Sequence, residues 1–186
     1  MRVRLAITRE QSDSANPTNT VLVMTTPVLY LDVDGVLCPL RVPDEYIDEF
    51  KDWETVTNLY DLPWSPALVQ AIAELPVERR WLTSWEHEAN LRLSPLFGWE
   101  QLPVLEHRPG SLWWKFDALV QHHEKGRPFI WIDDEMDDRR EELDNIFEAG
   151  LTTLDAPYLC ISTWSHRGIT REDLEAIRAF CVRYGA

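Results

Sequence analysis

The chain has 186 residues, 45% of them hydrophobic, and sets 18 Lys and Arg against 32 Asp and Glu for a formal charge of −14. That length suits one domain with a real core, and nine Trp exclude wholesale disorder. The acidic balance excludes non-specific binding to duplex DNA, which needs clustered cations, and no run of about 18 apolar residues is available to span a membrane.

Residues 1–24 are polar and turn-rich and read as a flexible leader; Met24 is a second candidate start, and no apolar signal segment precedes it. A single domain is expected over 25–186. Cys38, Cys160 and Cys181 are widely spaced and form no CxxC, which suits buried, reduced thiols in a cytoplasmic protein.

Val28–Leu31 is a short, wholly apolar run that ends at Asp32, the pattern of a strand buried on both faces. Residues 39–64 are irregular and hold a flap or minimal cap, with Trp53–Thr57 as a candidate strand. Ser65-Pro66 should cap a helix carrying Leu68, Val69, Ile72 and Leu75, ending at Pro76. A second strand is expected at Arg80–Thr83, a helix around Glu88–Leu91 and a third strand within 102–106. Ser111 is a candidate cap for a helix bearing Trp114, Lys115, Leu119 and Val120. Phe129–Ile132 reads as a fourth strand, closed by Asp133-Asp134.

A charged helix through Leu143, Ile146 and Phe147 should stop at Gly150. Its acids Glu135, Asp137, Asp138, Glu141 and Glu142 suit a solvated face favoured by the helix dipole. Tyr158–Ile161 is a fifth strand, and Thr170 with Asp173 forms a capping box ahead of a last helix. Alternating strands and helices predict an α/β domain with a mainly parallel sheet.

Ligands of open parallel sheets bind beyond the carboxyl ends of the strands. There the sequence puts Asp32-Val33-Asp34-Gly35, Thr83-Ser84 and Asp133-Asp134, with Lys115 near the start of a helix. Converging carboxylates must take up protons or share a cation, and a hard ion with oxygen ligands, most simply Mg²⁺, resolves the conflict. In extended chain Asp32 and Asp34 lie on one side, roughly 6–7 Å apart at the backbone, with room for a phosphoryl group between them.

LYLDVDGVL, RRWLTSWEHEAN, the Lys in SLWWKFDAL and FIWIDDE, in that order, resemble the four motifs of the haloacid-dehalogenase-like (HAD) superfamily across residues 28–165, which implies a Rossmannoid three-layer sandwich with a mainly parallel five-stranded sheet and a small flap insertion. The texture is also similar to a small bacterial subgroup that includes HAD domains found beside RNA-repair modules. The resemblance implies Asp32 as the nucleophile that forms an aspartyl-phosphate, and Asp34 as the acid for the leaving group and base for water. It implies that Thr83, in preference to Ser84, holds the phosphoryl oxygens and that Lys115 neutralises their charge. Mg²⁺ would be bound by Asp32, the Asp34 backbone carbonyl and Asp133, with Asp134 a neighbouring ligand.

An acid at Asp34 favours phosphatase over carbon–halogen chemistry. The implied substrates are a phosphorylated small molecule, a nucleotide or a nucleic-acid end. Trp53, Trp64, Trp85, Trp99, Trp113 and Trp114 are candidates for core packing or, at Trp85 above all, for stacking on a nucleobase. His166-Arg167-Gly168 is a possible second phosphate contact. A receiver domain would place its acid pair first and its lysine last, and a TOPRIM-type site would want a Glu upstream of its DxD. His87, His107, His122, His123 and His166 form no HExxH zinc motif, and His122 and His123 read as surface or boundary residues. The remaining alternative is a non-catalytic phosphate- or partner-binding module on the same fold.

Overall fold

The computed structural model describes residues 6–8, 26–40, 50, 52–56, 61–106 and 110–185, without the side chains of 6–8 and 143–145. The remaining leader residues, most of the flap at 41–49, Thr57, His107 and the Leu143 side chain lie outside that set.

The described residues contain seven strands: β1 (Ala6–Thr8), β2 (Val28–Leu31), β3 (Glu54–Val56), β4 (Leu62–Trp64), β5 (Glu78–Trp81), β6 (Phe129–Asp133) and β7 (Tyr158–Ser162). Five of them form one sheet in the order β1-β7-β6-β2-β5, parallel except for β1, while β3 and β4 pair antiparallel on their own. The α-helices are α1 (Pro66–Ala73), α2 (Ser94–Phe97), α3 (Trp114–His122), α4 (Met136–Thr153) and α5 (Arg171–Tyr184), and the segment expected to be helical around Glu88–Leu91 is a π-helical turn, Ala89–Leu93, leading into α2.

The three inner strands are buried along their whole length, as strands covered by helices on both faces must be. Their side chains alternate between two cores. Leu29, Leu31, Ile130, Ile132, Leu159 and Ile161 meet α1 and α5 on one face. Tyr30, Phe129, Trp131, Tyr158 and Cys160 meet α3 and α4 on the other, where Trp131 lies 4.7 Å from Trp113 between ring centroids. The result is an α/β fold of three layers with a mainly parallel sheet. No helix among the described residues is long and apolar enough to cross a membrane.

Several expectations are corrected. The third strand expected within 102–106 is not part of the sheet. There Val104 makes a single bridge to Trp81, and Pro103 has no N–H to extend the ladder. The sheet is completed instead by β1, three residues of the segment read as a flexible leader, which cover the open edge of β7. Helix α4 runs through Gly150 to Thr153. A Cβ at Gly150 would strike the Phe116 ring, so this glycine serves close packing of α4 on α3 and not helix termination. Phe147 and Leu151, four apart, form the buried stripe, while Ile146 is 59% exposed on another side of the helix.

Ser111 does not cap α3, whose N-cap is Trp113; its hydroxyl donates instead to Asp117. His123 is buried, not on the surface. Its Nε2 is 2.7 Å from the Arg127 carbonyl, which can only accept, so Nδ1 accepts the Tyr30 hydroxyl at 2.9 Å. Ser65 does cap α1, accepting from Leu68 N, and Thr170 and Asp173 form the capping box of α5. All three cysteines are free and buried.

Candidate functional site

The chain leaves β2 for β5 on one side, then crosses to β6 on the other. The carboxyl ends of β2 and β6 therefore flank the switch point of the sheet, where a crevice forms. Leu31 pairs in register with Ile132 and with Trp81, so Asp32 leaves the sheet beside Asp133, and Thr83 emerges from the neighbouring strand on its other side. Adjacent strands lie about 4.8 Å apart, which is why acids distant in sequence meet here.

Lys115, in the first turn of α3, reaches into this crevice and bridges the acids. Its Nζ is 2.5 Å from Asp32 Oδ2 and 2.8 Å from Asp133 Oδ2, with all three side chains buried. Asp32 Oδ1 accepts from Val33 N at 2.7 Å, and Asp133 Oδ1 accepts from Glu135 N at 3.0 Å. Thr83 is fully buried and its side chain hydrogen-bonds Asp32, whereas Ser84 is exposed, so the hydroxyl that joins the cluster belongs to Thr83.

Burial drives the Asp32 carboxyl above its ordinary pKa, opposed by the Lys115 charge and by hydrogen bonds from Lys115, Thr83 and Val33 N. Burial and the Asp32 charge push Asp133 up to about 7, and the same two causes, in the same order, push Asp134 up to about 6. Burial would lower Lys115, but the Asp133 and Asp32 carboxylates outweigh it and hold the ammonium charged. One lysine thus faces three crowded carboxylates.

Carboxylate oxygens of Asp32, Asp133 and Asp134 all lie within 4.8 Å of one another. This all-oxygen, charge-rich set fits a hard divalent cation, which would relieve the repulsion that burial intensifies. The Asp34 carboxylate is not part of that group. It turns toward Trp85, whose indole Nε1 donates to Asp34 Oδ2 at 2.9 Å, while Trp85 N donates to Thr83 Oγ1 at 3.3 Å.

Gly35 makes this crowding possible. Its φ is +69°, and a Cβ there would collide with the Asp134 carboxylate. The turn that follows folds back on itself, with Leu37 N and Cys38 N donating to Val33 O and Gly35 N to Cys38 O. Thr163, just past β7, donates its hydroxyl to Gly35 O at 2.7 Å. The sequence reading missed Thr163, although a hydroxyl directly after a buried strand was its available signal.

His166-Arg167-Gly168 does not line the cleft beside this site. Arg167 N and Gly168 N bond to Trp164 O, and Ile169 N bonds to Val36 O, so the loop braces the Gly35 turn. Of the candidate stacking residues, Trp64, Trp99 and Trp113 are core, and Trp53 and Trp114 are half-buried against it. Only Trp85 lines the cleft, an open hollow of about 390 Å³ that it shares with Asp34, Pro39, Leu40, Asp61, Leu62 and Pro63.

In comparisons with known proteins, no family model, no curated protein and no solved structure matches this chain.

Proposed function

We propose that the chain is a HAD-type phosphohydrolase that cleaves a phosphomonoester through an aspartyl-phosphate on Asp32. The observation that carries this reading is the buried Asp32–Lys115–Asp133 contact, with Thr83 on Asp32 and Asp134 alongside, at the switch point of a parallel sheet. Phosphoryl transfer asks mainly for in-line positioning and neutralised charge, and this is the chemistry such a cluster supplies.

In the first step an Asp32 carboxylate oxygen attacks phosphorus. The bond from phosphorus to the leaving oxygen breaks, its electron pair stays on that oxygen, and Asp34 donates a proton to it. Asp34 then takes a proton from water, the water oxygen attacks phosphorus, and the bond to Asp32 breaks to restore the carboxylate. Thr83 and Lys115 hold the phosphoryl oxygens and offset the charge that builds on them. Asp32, Asp133, Asp134 and the Asp34 backbone carbonyl would hold Mg²⁺, which supplies further charge neutralisation at the phosphoryl group. The buried thiols agree with a reducing, cytoplasmic setting.

The test is hydrolysis of p-nitrophenyl phosphate in a series of divalent metals. Turnover should require the metal and fall on the order of 10³-fold or more in Asp32→Asn. Thr83→Ala should also cripple it, while Ser84→Ala should not. Undiminished turnover in Asp32→Asn would reject the nucleophile. No turnover of any phosphomonoester with any metal would favour a binding module.

A further inference from the structure

The acid crevice hangs on two strand exits, the turn after Asp34 and the end of β6 at Asp133. One residue outside the proposed catalytic set is bonded to both. Thr163 follows β7 directly; its backbone N–H donates to Asp133 O at 3.2 Å and its hydroxyl donates to Gly35 O at 2.7 Å. Thr163 is 3% exposed, so water competes little for either bond.

The Gly35 backbone is held at its other end as well. Gly35 N donates to Cys38 O at 2.8 Å, and because the N–H and C=O of a trans peptide point opposite ways, this bond sets the direction of the Asp34 carbonyl. The Thr163 hydroxyl fixes the next carbonyl along, that of Gly35. Between the two, the Gly35 Cα lies so close to Asp134 that an added Cβ would strike its carboxylate. Movement of this turn therefore shifts both the Asp34 carbonyl and the wall against which Asp134 rests. Asp133, meanwhile, stays paired in register with Ser162, whose Oγ accepts from Asp137 N at 3.3 Å in the first turn of α4.

We infer that Thr163 is a positioning residue, which sets the separation between the Asp34 turn and the Asp133-Asp134 pair that a shared cation needs. Its catalytic consequence rests on the phosphohydrolase reading above; its effect on metal binding rests on the acid crevice alone. Mg²⁺ demands oxygens at about 2.0–2.1 Å in a nearly octahedral array, so it tolerates little drift of one set of ligands against the other. Groups that orient metal ligands typically contribute about 10–100-fold in affinity or activity. A threonine that only filled space would contribute nothing of this kind, and valine, with the same shape and no donor, separates the two roles.

Calorimetric titration with Mg²⁺, and hydrolysis of p-nitrophenyl phosphate at saturating Mg²⁺, test the idea on the full chain. Thr163→Val should weaken Mg²⁺ binding about tenfold or more and lower kcat by a similar factor, while KM changes by less than about threefold. Thr163→Ser keeps the hydroxyl and should stay within about threefold of wild type in both measurements. Tyr158→Phe removes a hydroxyl that bonds to Glu148 at the other end of β7, and should leave both unchanged. Thr163→Ala deletes the same donor with less bulk and carries the comparison if the valine variant does not fold. Undiminished Mg²⁺ affinity in Thr163→Val, equal impairment of the serine variant, or an equal loss in Tyr158→Phe would overturn the role, as would a wild-type protein that binds no Mg²⁺. A wild-type protein that binds Mg²⁺ in the expected pattern across the variants but hydrolyses no phosphomonoester rejects the reaction and keeps the role of Thr163.

Discussion

Trp85 serves two parts of the site with one ring. Its N–H is committed to Asp34 Oδ2, and the ring lines the cleft beyond. Trp85→Phe keeps an aromatic wall and removes only the donor, leaving Asp34 free to turn. Loss of a well-placed general acid matters most where the leaving oxygen is basic. On the proposed phosphohydrolase reading, with Asp34 as the acid, the variant should lose about tenfold or more on an alkyl phosphate and much less on p-nitrophenyl phosphate. Equal losses on both substrates would limit Trp85 to packing.

His123 is the second residue with a distinct signature. Burial holds its pKa below the ordinary histidine value, and the neutral ring accepts from Tyr30 while donating to the Arg127 carbonyl. The unfolded chain therefore binds this proton at higher pH than the folded protein does. Stability from this group is complete above about pH 6.5 and is lost as the pH falls through its depressed folded value. Glu124 and Glu78, both lowered, act in the same direction only at more acid pH. Urea melts of wild type and His123→Gln across pH 5–7.5 should differ in slope, with the wild type losing stability faster toward acid; parallel curves would contradict this.

Among the elements, the α3–α4 contact reverses the usual rule for helix glycines. Replacing an interior helix Gly by Ala ordinarily stabilises by about 1 kcal/mol. At Gly150 the new methyl would meet the Phe116 ring, which stacks on Phe147 with centroids 5.4 Å apart in the α3–α4 core. Overpacking of this kind costs about 1–3 kcal/mol, so Gly150→Ala should lower the denaturation midpoint despite its better helix propensity. Because α3 carries Lys115, the same substitution should also weaken turnover if the proposed phosphohydrolase reading holds, and a raised midpoint would show that the ring moves aside freely.

The flap is joined to the main domain by Asp52, whose carboxylate accepts from Ser65 Oγ at 2.5 Å and from Ala67 N at 2.7 Å. This carboxylate supplements the Ser65 cap of α1 and anchors the segment that precedes β3 and β4. It is a tertiary use of a helix N-terminus that favours negative charge.

At the scale of the whole molecule, a charge of −14 and a crevice of three close carboxylates would make a bound divalent cation a stabilising ligand. Binding only to the folded state at about 100 times Kd adds about 2.7 kcal/mol. For a chain of this size that corresponds to a rise of about 5–10 °C in Tm. Millimolar Mg²⁺ should produce such a rise in wild type and little in Asp133→Asn, measured by calorimetry at pH 7.5. An equal rise in both proteins would assign the effect to general screening of the acidic surface.

Much of this was legible in the sequence because it depends on local pattern. The continuous apolar runs at β2, β6 and β7, the caps at Ser65 and Thr170, and the acids placed directly after strands are consequences of which residues can be buried on both faces and which can end a helix. Those same rules gave the α/β class and the order Asp32, Thr83, Lys115, Asp133 along the chain. They were blind to contacts that close only in three dimensions. Short-range pattern cannot say that Gly150 faces a phenylalanine ring, that β1 takes the edge beside β7, or that Trp85 aims its N–H at Asp34. Short-range pattern also leaves Thr83 and Ser84 alike; the motif resemblance favours Thr83, but its burial against Asp32 while Ser84 faces solvent arises only once β5 has paired with β2. Residue chemistry and periodicity determined which groups were available; strand register and helix packing decided which of them meet.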